Sequence, residues 1–191
     1  MIRRPPRSTP KPSSAASDVY KRQLKNNIYI VMGVCGCGKS SVGGLLASTT
    51  GGAFIDADSF HPQKNVEKMS AGLPLNDSDR EDWLIAIGKA INTHEGAWPL
   101  FFGCSALKKK YRKTIIEEVH QQSVSFIHLD GDKELIGKRM MEREGHFMKI
   151  GMIDSQFQDL EGLQKDENGI TINIGMSLEK VCENILKKIK V

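Results

Sequence analysis

The feature that most restricts which folds this chain can adopt is a run of eight residues, Gly33-Val34-Cys35-Gly36-Cys37-Gly38-Lys39-Ser40. Its pattern is G-x-x-x-x-G-K-[ST], and it lies between an apolar run typical of a strand and a helical pattern, which is the context that the motif requires. The glycines let successive backbone N–H groups converge on phosphate oxygens, and the start of the helix adds a partial positive charge. The run therefore predicts a loop that binds the phosphates of a nucleotide.

Two residues of this loop have predicted roles in phosphoryl transfer. Lys39 would reach the β- and γ-phosphates of ATP, and the hydroxyl of Ser40 would bind Mg²⁺. A glycine-rich turn without a ligand is the alternative, but the motif and its context both oppose it. The sequence lacks the Asn-Lys-x-Asp string of a regulatory GTPase, and the apolar run Leu100 to Phe102 ends without the acidic residue of a motor or AAA-type ATPase.

The apolar pattern predicts one α/β domain with a P-loop NTPase-type fold. Five short runs rich in β-branched or aromatic residues alternate with helical patterns, so we expect a doubly wound parallel five-stranded sheet with helices on both faces. The predicted strands are Ile28 to Met32, Ala53 to Ile55, Leu100 to Phe102, Val124 to Leu129 and Ile170 to Ile174. The predicted helices lie near 40–49, 63–71, 78–93, 106–121, 132–143 and 178–190, with Asp77, Asp132 and Ser177 as N-caps.

The first 23 residues differ in composition from the rest of the chain. They include four of the seven prolines and carry a charge of +5, whereas the whole chain carries +4 and residues 24–191 carry −1. The basic pI of 8.8 therefore describes this segment, and we do not expect a nucleic-acid partner. We expect residues 1–23 to be a disordered, non-native extension, closer to translated vector sequence than to a transit peptide, and residues 24–191 to form the domain.

Hydropathy and cysteine spacing indicate the cellular compartment in which we expect the protein. The sequence has no apolar run near 18 residues and no secretory signal pattern, so we expect a cytoplasmic protein without a membrane partner. The cysteines are then expected to be free thiols, and Cys35 and Cys37 have no second Cys or His pair at zinc-site spacing.

A second candidate for chemistry is the acidic pair in Asp56-Ala57-Asp58, directly after the second predicted strand. Side chains two residues apart in an extended segment point to the same side, so both carboxylates are expected to lie together. One of the two could hold Mg²⁺ through water while the other accepts a proton from a substrate hydroxyl. Two solvated loop acids are the alternative. The polar stretch that follows suggests a small ligand rich in hydroxyl groups.

These motifs together resemble the gluconokinase family of small P-loop kinases, which is related in fold to shikimate and nucleoside-monophosphate kinases. The chain departs from the usual family pattern at Cys35 and Cys37, where small serine-like residues are common, and at Gly162, where Pro tends to follow Leu-Glu. The resemblance covers about 28–161 and rests on GVCGCGKSSVGGLLA, DADSFHP with Asn65 and Lys68-Met69, GLPLNDSDREDWL, CSALKKKYR, and REGHFM followed by Gln156-Phe157.

The resemblance implies transfer of the γ-phosphoryl group of ATP to the 6-hydroxyl of D-gluconate, with Mg²⁺ as cofactor, in a protein that could be a homodimer. It places Asp58 beside the accepting hydroxyl as base or orienting group. The implied nucleotide-binding residues are Gly33, Val34, Cys35, Gly36, Cys37, Gly38, Lys39, Ser40 and Ser41. The implied substrate-binding residues are Asp58, His61, Lys68, Arg80, Ser105 and Lys108, and the metal ligands are Ser40 and Asp56.

A lid over the nucleotide is expected in the C-terminal half. Arg139 and Arg143 stand four residues apart, so on a helix they share a face and could close over the polyphosphate as catalytic groups. A solvated basic helix face is the alternative. Segment 144–169 has few apolar residues in register, so we expect a mobile excursion over the strand ends, with a lid at about 140–165.

Two other functions remain open. A related P-loop kinase could act on another acceptor, such as shikimate or a nucleotide, and a non-catalytic module could bind ATP without producing ADP. The combination of Lys39, Ser40, Asp56 and Asp58 favours an enzyme, because binding alone does not require all four.

Overall fold

Five parallel strands form the centre of the molecule. A computed structural model describes residues 27–120, 123–141 and 150–189. Each predicted strand boundary lies within one residue of the observed one, and the spatial order is β2-β3-β1-β4-β5, with every neighbouring pair parallel. The predicted parallel sheet is therefore confirmed. The strands are β1 (Ile28–Met32), β2 (Ala53–Asp56), β3 (Leu100–Gly103), β4 (Val124–Asp130) and β5 (Gly169–Asn173).

Helices cover both faces of the sheet, as the sequence predicts. Alternate residues of β1 face opposite sides, so Tyr29 and Val31 pack into one apolar cluster while Ile28, Ile30 and Met32 pack into another. The helices are α1 (Lys39–Thr50), α2 (Gln63–Ser70), α3 (Asp77–Asn92), α4 (Lys109–Glu118), α5 (Lys133–Met141), α6 (Ile150–Asp159) and α7 (Leu178–Lys188). Side chains of α1, α5 and α7 belong to the first cluster, and those of α3 and α4 belong to the second.

The structure corrects two predictions about helices. Asp77 is not the N-cap of α3, because Asn76 accepts from the backbone N–H of Asp79 and the Asp79 side chain accepts from that of Asn76. The segment 144–169, which we predict to be an irregular excursion, contains the helix α6. Residues 142–149, directly before this helix, lie outside the described part of the chain. The mobility of the lid remains a prediction.

A loop occupies the first residues of the helix that we predict at 106–121. Ala106 has a φ of 42°, in the left-handed region, so the chain turns there and α4 begins only at Lys109. The turn leaves the carbonyl groups of Ala106 and Leu107 without helical partners, and Arg112 Nη1 donates to both, at 3.0 and 3.2 Å.

Arg112 is a completely buried cation that joins two loops far apart in the sequence. Its Nε and Nη2 donate to the two carboxylate oxygens of Glu167 at 2.5 and 2.9 Å, and Nη1 also reaches the carbonyl oxygen of Glu161 at 3.0 Å. The guanidinium group therefore ties the loop after β3 to the segment that precedes β5. This geometry satisfies both charges at a site where the side chain of Arg112 has no exposure and that of Glu167 only 7%.

The described residues include no helix that combines the length and apolar character needed to cross a bilayer.

We expect Arg112→Met to destabilise the fold by roughly 3–5 kcal/mol, because it leaves the buried carboxylate of Glu167 without its cation. Urea unfolding followed by circular dichroism would measure this loss. Lys113→Met is the matched control, since Lys113 pairs with Glu117 on an exposed helix face, where such pairs contribute little. Equal midpoints for the two variants would contradict the assigned role of Arg112.

Candidate active site

The loop between β1 and α1 has the backbone conformation that phosphate binding needs. Gly33, Gly36 and Gly38 have φ values of 142°, 82° and 100°, in the region that residues with a Cβ rarely adopt. Lys39 Nζ lies over this loop and donates to the carbonyl oxygens of Gly33 and Val34, each at 3.2 Å. The lysine is thus already placed above the site where the motif predicts phosphate oxygens.

Asp56 connects the end of β2 to the start of α1. Its Oδ2 accepts a hydrogen bond from Ser40 Oγ at 2.9 Å, and its Oδ1 accepts one from the backbone N–H of Asp58 at 3.1 Å. The strand ends at Asp56, and Ala57–Phe60 forms a 3₁₀ turn. Our expectation that an extended segment carries both carboxylates is wrong, because the chain leaves the strand between them. Asp56 instead faces Ser40, as the two predicted metal ligands should.

Asp58 is the acid that remains open to the cleft. Three quarters of its side chain is accessible, and its Oδ1 lies 4.0 Å from Nε2 of His61. Partial desolvation by the cleft walls and the negative charge of Asp56 raise the pKa of Asp58, against the opposing effect of the Lys39 ammonium group. The carboxylate is therefore a stronger base than a fully solvated aspartate, which suits a proton acceptor.

One cavity beside the phosphate-binding loop brings together six of the predicted site residues. It lies between that loop, the 3₁₀ turn and the start of α3, and the loop after β3 closes one side through a hydrogen bond from the Gly33 N–H to the Ser105 carbonyl. Lys68 and Lys108 do not line this cavity. The six residues are Cys35, Lys39, Asp58, His61, Arg80 and Ser105.

His61 is held in the wall of this cavity. Its side chain is 5% exposed, and its ring stacks on Trp83 with 4.2 Å between ring centroids. Trp83 is itself fixed by a hydrogen bond from Nε1 to the carbonyl oxygen of Ala57 at 2.8 Å. Burial and the positive charge of Arg80 lower the pKa of His61 to about 4. His61 is therefore a neutral hydrogen-bonding group at pH 7.

The three predicted substrate-binding cations each lie beside an acid of the chain. Lys68 contacts Asp79 at 2.5 Å, and Lys108 lies between Asp77 at 3.2 Å and Asp159 at 3.0 Å. Arg80 lies 3.6 Å from Asp159 and donates to the Tyr111 hydroxyl at 3.0 Å. These contacts join α2, α3, α4 and α6 into one polar wall.

Helix α6 provides contacts that the residue-by-residue reasoning did not assign. Oε1 of Gln156 accepts from the backbone N–H of Cys35 at 2.7 Å, so an amide oxygen occupies a donor of the phosphate-binding loop. Asp159, at the end of the same helix, contacts the two cations described above. The sequence does contain a signal for this helix, because the string Gln156-Phe157 is part of the family resemblance. We predicted no role for either residue.

A second cavity of about 320 Å³ lies on the other side of the loop. Gly36, Gly38 and Ser41 form its polar edge, and Ile174 and Met176 contribute apolar surface from the segment after β5. Arg139 also lines it and is anchored by a hydrogen bond from Nη2 to the carbonyl oxygen of Ile174 at 2.7 Å. Arg143, its predicted partner, lies outside the described residues, so their common face stays a prediction.

Comparison with known proteins identifies the family, although no model of a protein family matches the chain. The chain is 40% identical over 167 residues to the thermoresistant gluconokinase of Escherichia coli (strain K12), covering 86% of this chain and 94% of that protein. It is 38% identical over 172 residues to a probable gluconokinase of Dictyostelium discoideum, with 85% and 86% covered. The chain belongs to the gluconokinase family. A solved gluconokinase structure from Sinorhizobium meliloti 1021 superposes with a TM-score of 0.76 at 36% identity, covering 85% of this chain and 90% of that one.

The contact between Gln156 and Cys35 is expected to compete with ATP for the phosphate-binding loop. A phosphate oxygen that binds the Cys35 N–H must displace the amide oxygen, so Gln156→Ala is expected to tighten ATP binding by about 2- to 10-fold, the effect of one hydrogen bond. Isothermal titration calorimetry would measure the dissociation constant. Gln158→Ala on the exposed face of α6 is the control. Weaker ATP binding by the Gln156 variant would contradict this competition.

Proposed function

We propose that this protein transfers the γ-phosphoryl group of ATP to the 6-hydroxyl of D-gluconate, giving 6-phospho-D-gluconate and ADP. The observation that carries the proposal is that Lys39 and Asp58 line one cavity between the phosphate-binding loop and a polar acceptor wall. The relatives named gluconokinase support this choice of acceptor over shikimate or a nucleotide. A kinase needs both a cation for the phosphates and a base for the acceptor, and a binding module needs only the first.

The nucleotide would lie across the phosphate-binding loop. Backbone N–H groups of Gly33 to Ser41 would bind the phosphates, and Lys39 would exchange its contacts with two carbonyl groups for contacts with the β- and γ-phosphates. The cavity lined by Ile174 and Met176 offers apolar surface for the nucleoside, next to the guanidinium group of Arg139. Arg139 then lies near enough to the loop to balance charge on the polyphosphate.

The residues present fit a Mg²⁺ ion at the end of β2. Ser40 Oγ and Asp56 Oδ2, 2.9 Å apart, are the hard oxygen donors that Mg²⁺ prefers. Among the described residues no group of three or more His, Cys, Asp or Glu could hold a metal, which suits an ion that takes its remaining ligands from phosphate and water. When bound, Mg²⁺ neutralises charge on the phosphates.

Asp58 would carry the proton transfer. Its carboxylate accepts the proton of the 6-hydroxyl as that oxygen bonds to the γ-phosphorus, and the bond from this phosphorus to the oxygen of the β-phosphate breaks to release ADP. The raised pKa of Asp58 brings its basicity closer to neutral pH. Lys39 in the same cavity stabilises the negative charge that spreads over the transferring group.

The acceptor would be bound by the polar wall opposite the loop. Arg80, His61 and Ser105 line the cavity and can bind hydroxyl and carboxylate oxygens of the sugar acid. Lys68 and Lys108 do not line the cavity and form ion pairs with Asp79, Asp77 and Asp159, so they would bind the acceptor only after these pairs rearrange. Closure of a lid at about 140–165 would rearrange the pairs made by Asp159. We place this reaction in the cytoplasm and leave a homodimer as the expected assembly.

A coupled ADP-release assay with Mg-ATP tests the acceptor. D-Gluconate should give turnover far above the ATP-only rate, whereas other aldonates, shikimate and nucleoside monophosphates should give little. Activity confined to another acceptor would retain the kinase and replace the substrate. ATP binding without ADP release on any acceptor would favour the non-catalytic module.

Two substitutions test the assigned roles. Lys39→Met is expected to abolish turnover, because no other side chain of the loop supplies a cation to the phosphates. Asp58→Asn is expected to lower kcat by on the order of 10²-fold while ATP still binds. A change confined to KM for gluconate would make Asp58 a binding residue.

The pH dependence gives a separate test of Asp58. Only the ionised carboxylate accepts a proton, so the kcat of the wild type should fall as the pH drops through the raised pKa of Asp58. Steady-state rates between pH 4.5 and pH 8 would trace this decline. The residual rate of the Asp58→Asn variant should not show this decline at low pH. The same decline in both proteins would mean that another group titrates.

A further inference from the structure

Asn65 is a buried polar residue whose orientation the structure fixes. It lies on α2 with 0% exposure, and its Nδ2 is 2.6 Å from the backbone carbonyl oxygen of Asp79. A carbonyl oxygen only accepts hydrogen bonds, so the nitrogen of the amide must face it. The opposite orientation would place Oδ1 against another oxygen at this distance. The orientation therefore holds even though Oδ1 has no hydrogen-bond partner among the described residues.

The same amide nitrogen faces the ring of His61. Asn65 Nδ2 lies 3.5 Å from His61 Nδ1, and an amide nitrogen carries a second hydrogen besides the one given to Asp79. A proton on Nδ1 would place two N–H groups against each other. Nδ1 is therefore the acceptor, and the single proton of a neutral imidazole lies on Nε2.

The groups around the ring favour its neutral form. Trp83 covers one face, and Arg80 is the cation that disfavours a second positive charge. Asp58 is the acid that faces Nε2, at 4.0 Å, but its side chain is three quarters exposed and water screens its charge. Burial acts in the same direction as Arg80 and lowers the pKa of His61. The imidazole is therefore neutral through the physiological range.

We propose that Asn65 is a positioning residue that keeps His61 as the neutral tautomer whose Nε2–H faces Asp58. This role rests on the proposed function, because it concerns the base of the kinase reaction. At 4.0 Å the neutral Nε2–H does not yet bind the carboxylate, but it presents a donor toward which the exposed Asp58 side chain can turn without forming an ion pair.

Imidazole ¹⁵N NMR on the uniformly labelled full chain tests the tautomer directly. His61→Gln removes one set of ring signals and so assigns them. The wild type should show a protonated Nε2 and an unprotonated Nδ1 between pH 6 and pH 8. Asn65→Asp replaces the amide donor with an acceptor, so its His61 should carry a proton on Nδ1 and titrate at higher pH. Protonation of Nδ1 in the wild type at pH 7 would overturn the proposal.

A matched pair of substitutions tests the consequence for turnover. The amide nitrogen of Gln can replace an Nε2–H donor, whereas the shorter Asn places its amide near the position of Nδ1. We expect kcat with gluconate to be about 10-fold lower for His61→Asn than for His61→Gln, with KM for ATP alike in both. Equal kcat values would overturn the role of the Nε2–H. A wild type inactive on gluconate would instead refute the proposed function, and the NMR result would still decide the tautomer.

Discussion

The parallel pairing of β1 with β3 and β4 is the constraint on which the rest of the molecule depends. Parallel strands end at the same edge of a sheet, so the phosphate-binding loop after β1, Asp56 at the end of β2 and the Ser105 turn after β3 meet without any local sequence signal for their contact. The hydrogen bond from Gly33 to the Ser105 carbonyl continues this pairing beyond the strands. The site is therefore assembled by the sheet, and the loops need to supply only the chemistry.

Arg112 fixes two loop segments that strand pairing does not position. It binds the carbonyl groups of the turn after β3 and, 55 positions further along the chain than Arg112 itself, the carboxylate of Glu167 before β5. The backbone N–H of Glu161 also donates to the Leu107 carbonyl at 2.8 Å, so the end of α6 is fastened to the same turn. The wall that holds Lys108 and Asp159 is thus built on a buried, completely satisfied charge as well as on the apolar packing of Leu107 and Leu160.

Features that depend on local sequence patterns or on a motif were predicted correctly from the sequence. The five strands and the phosphate-binding loop follow from apolar runs and from one motif in its required context. One failure has a tertiary cause and the other a local one. Helix α6 buries Ile153 but makes its most telling contacts through Gln156 and Asp159, with partners far away in the chain. The 3₁₀ turn that separates Asp56 from Asp58 is capped by Asp56 itself, which an alternation rule cannot foresee.

The stacking of His61 on Trp83 gives the molecule an optical probe of its own acceptor cavity. The chain has two tryptophans, and the other, Trp98, lies beside His94 just before β3 begins, at the opposite edge of the sheet. Indole emission is sensitive to neighbouring polar groups, so ligands entering the cavity change the surroundings of one fluorophore and leave the other as an internal reference. Acceptor binding and catalysis can thereby be followed as separate events in the unlabelled protein.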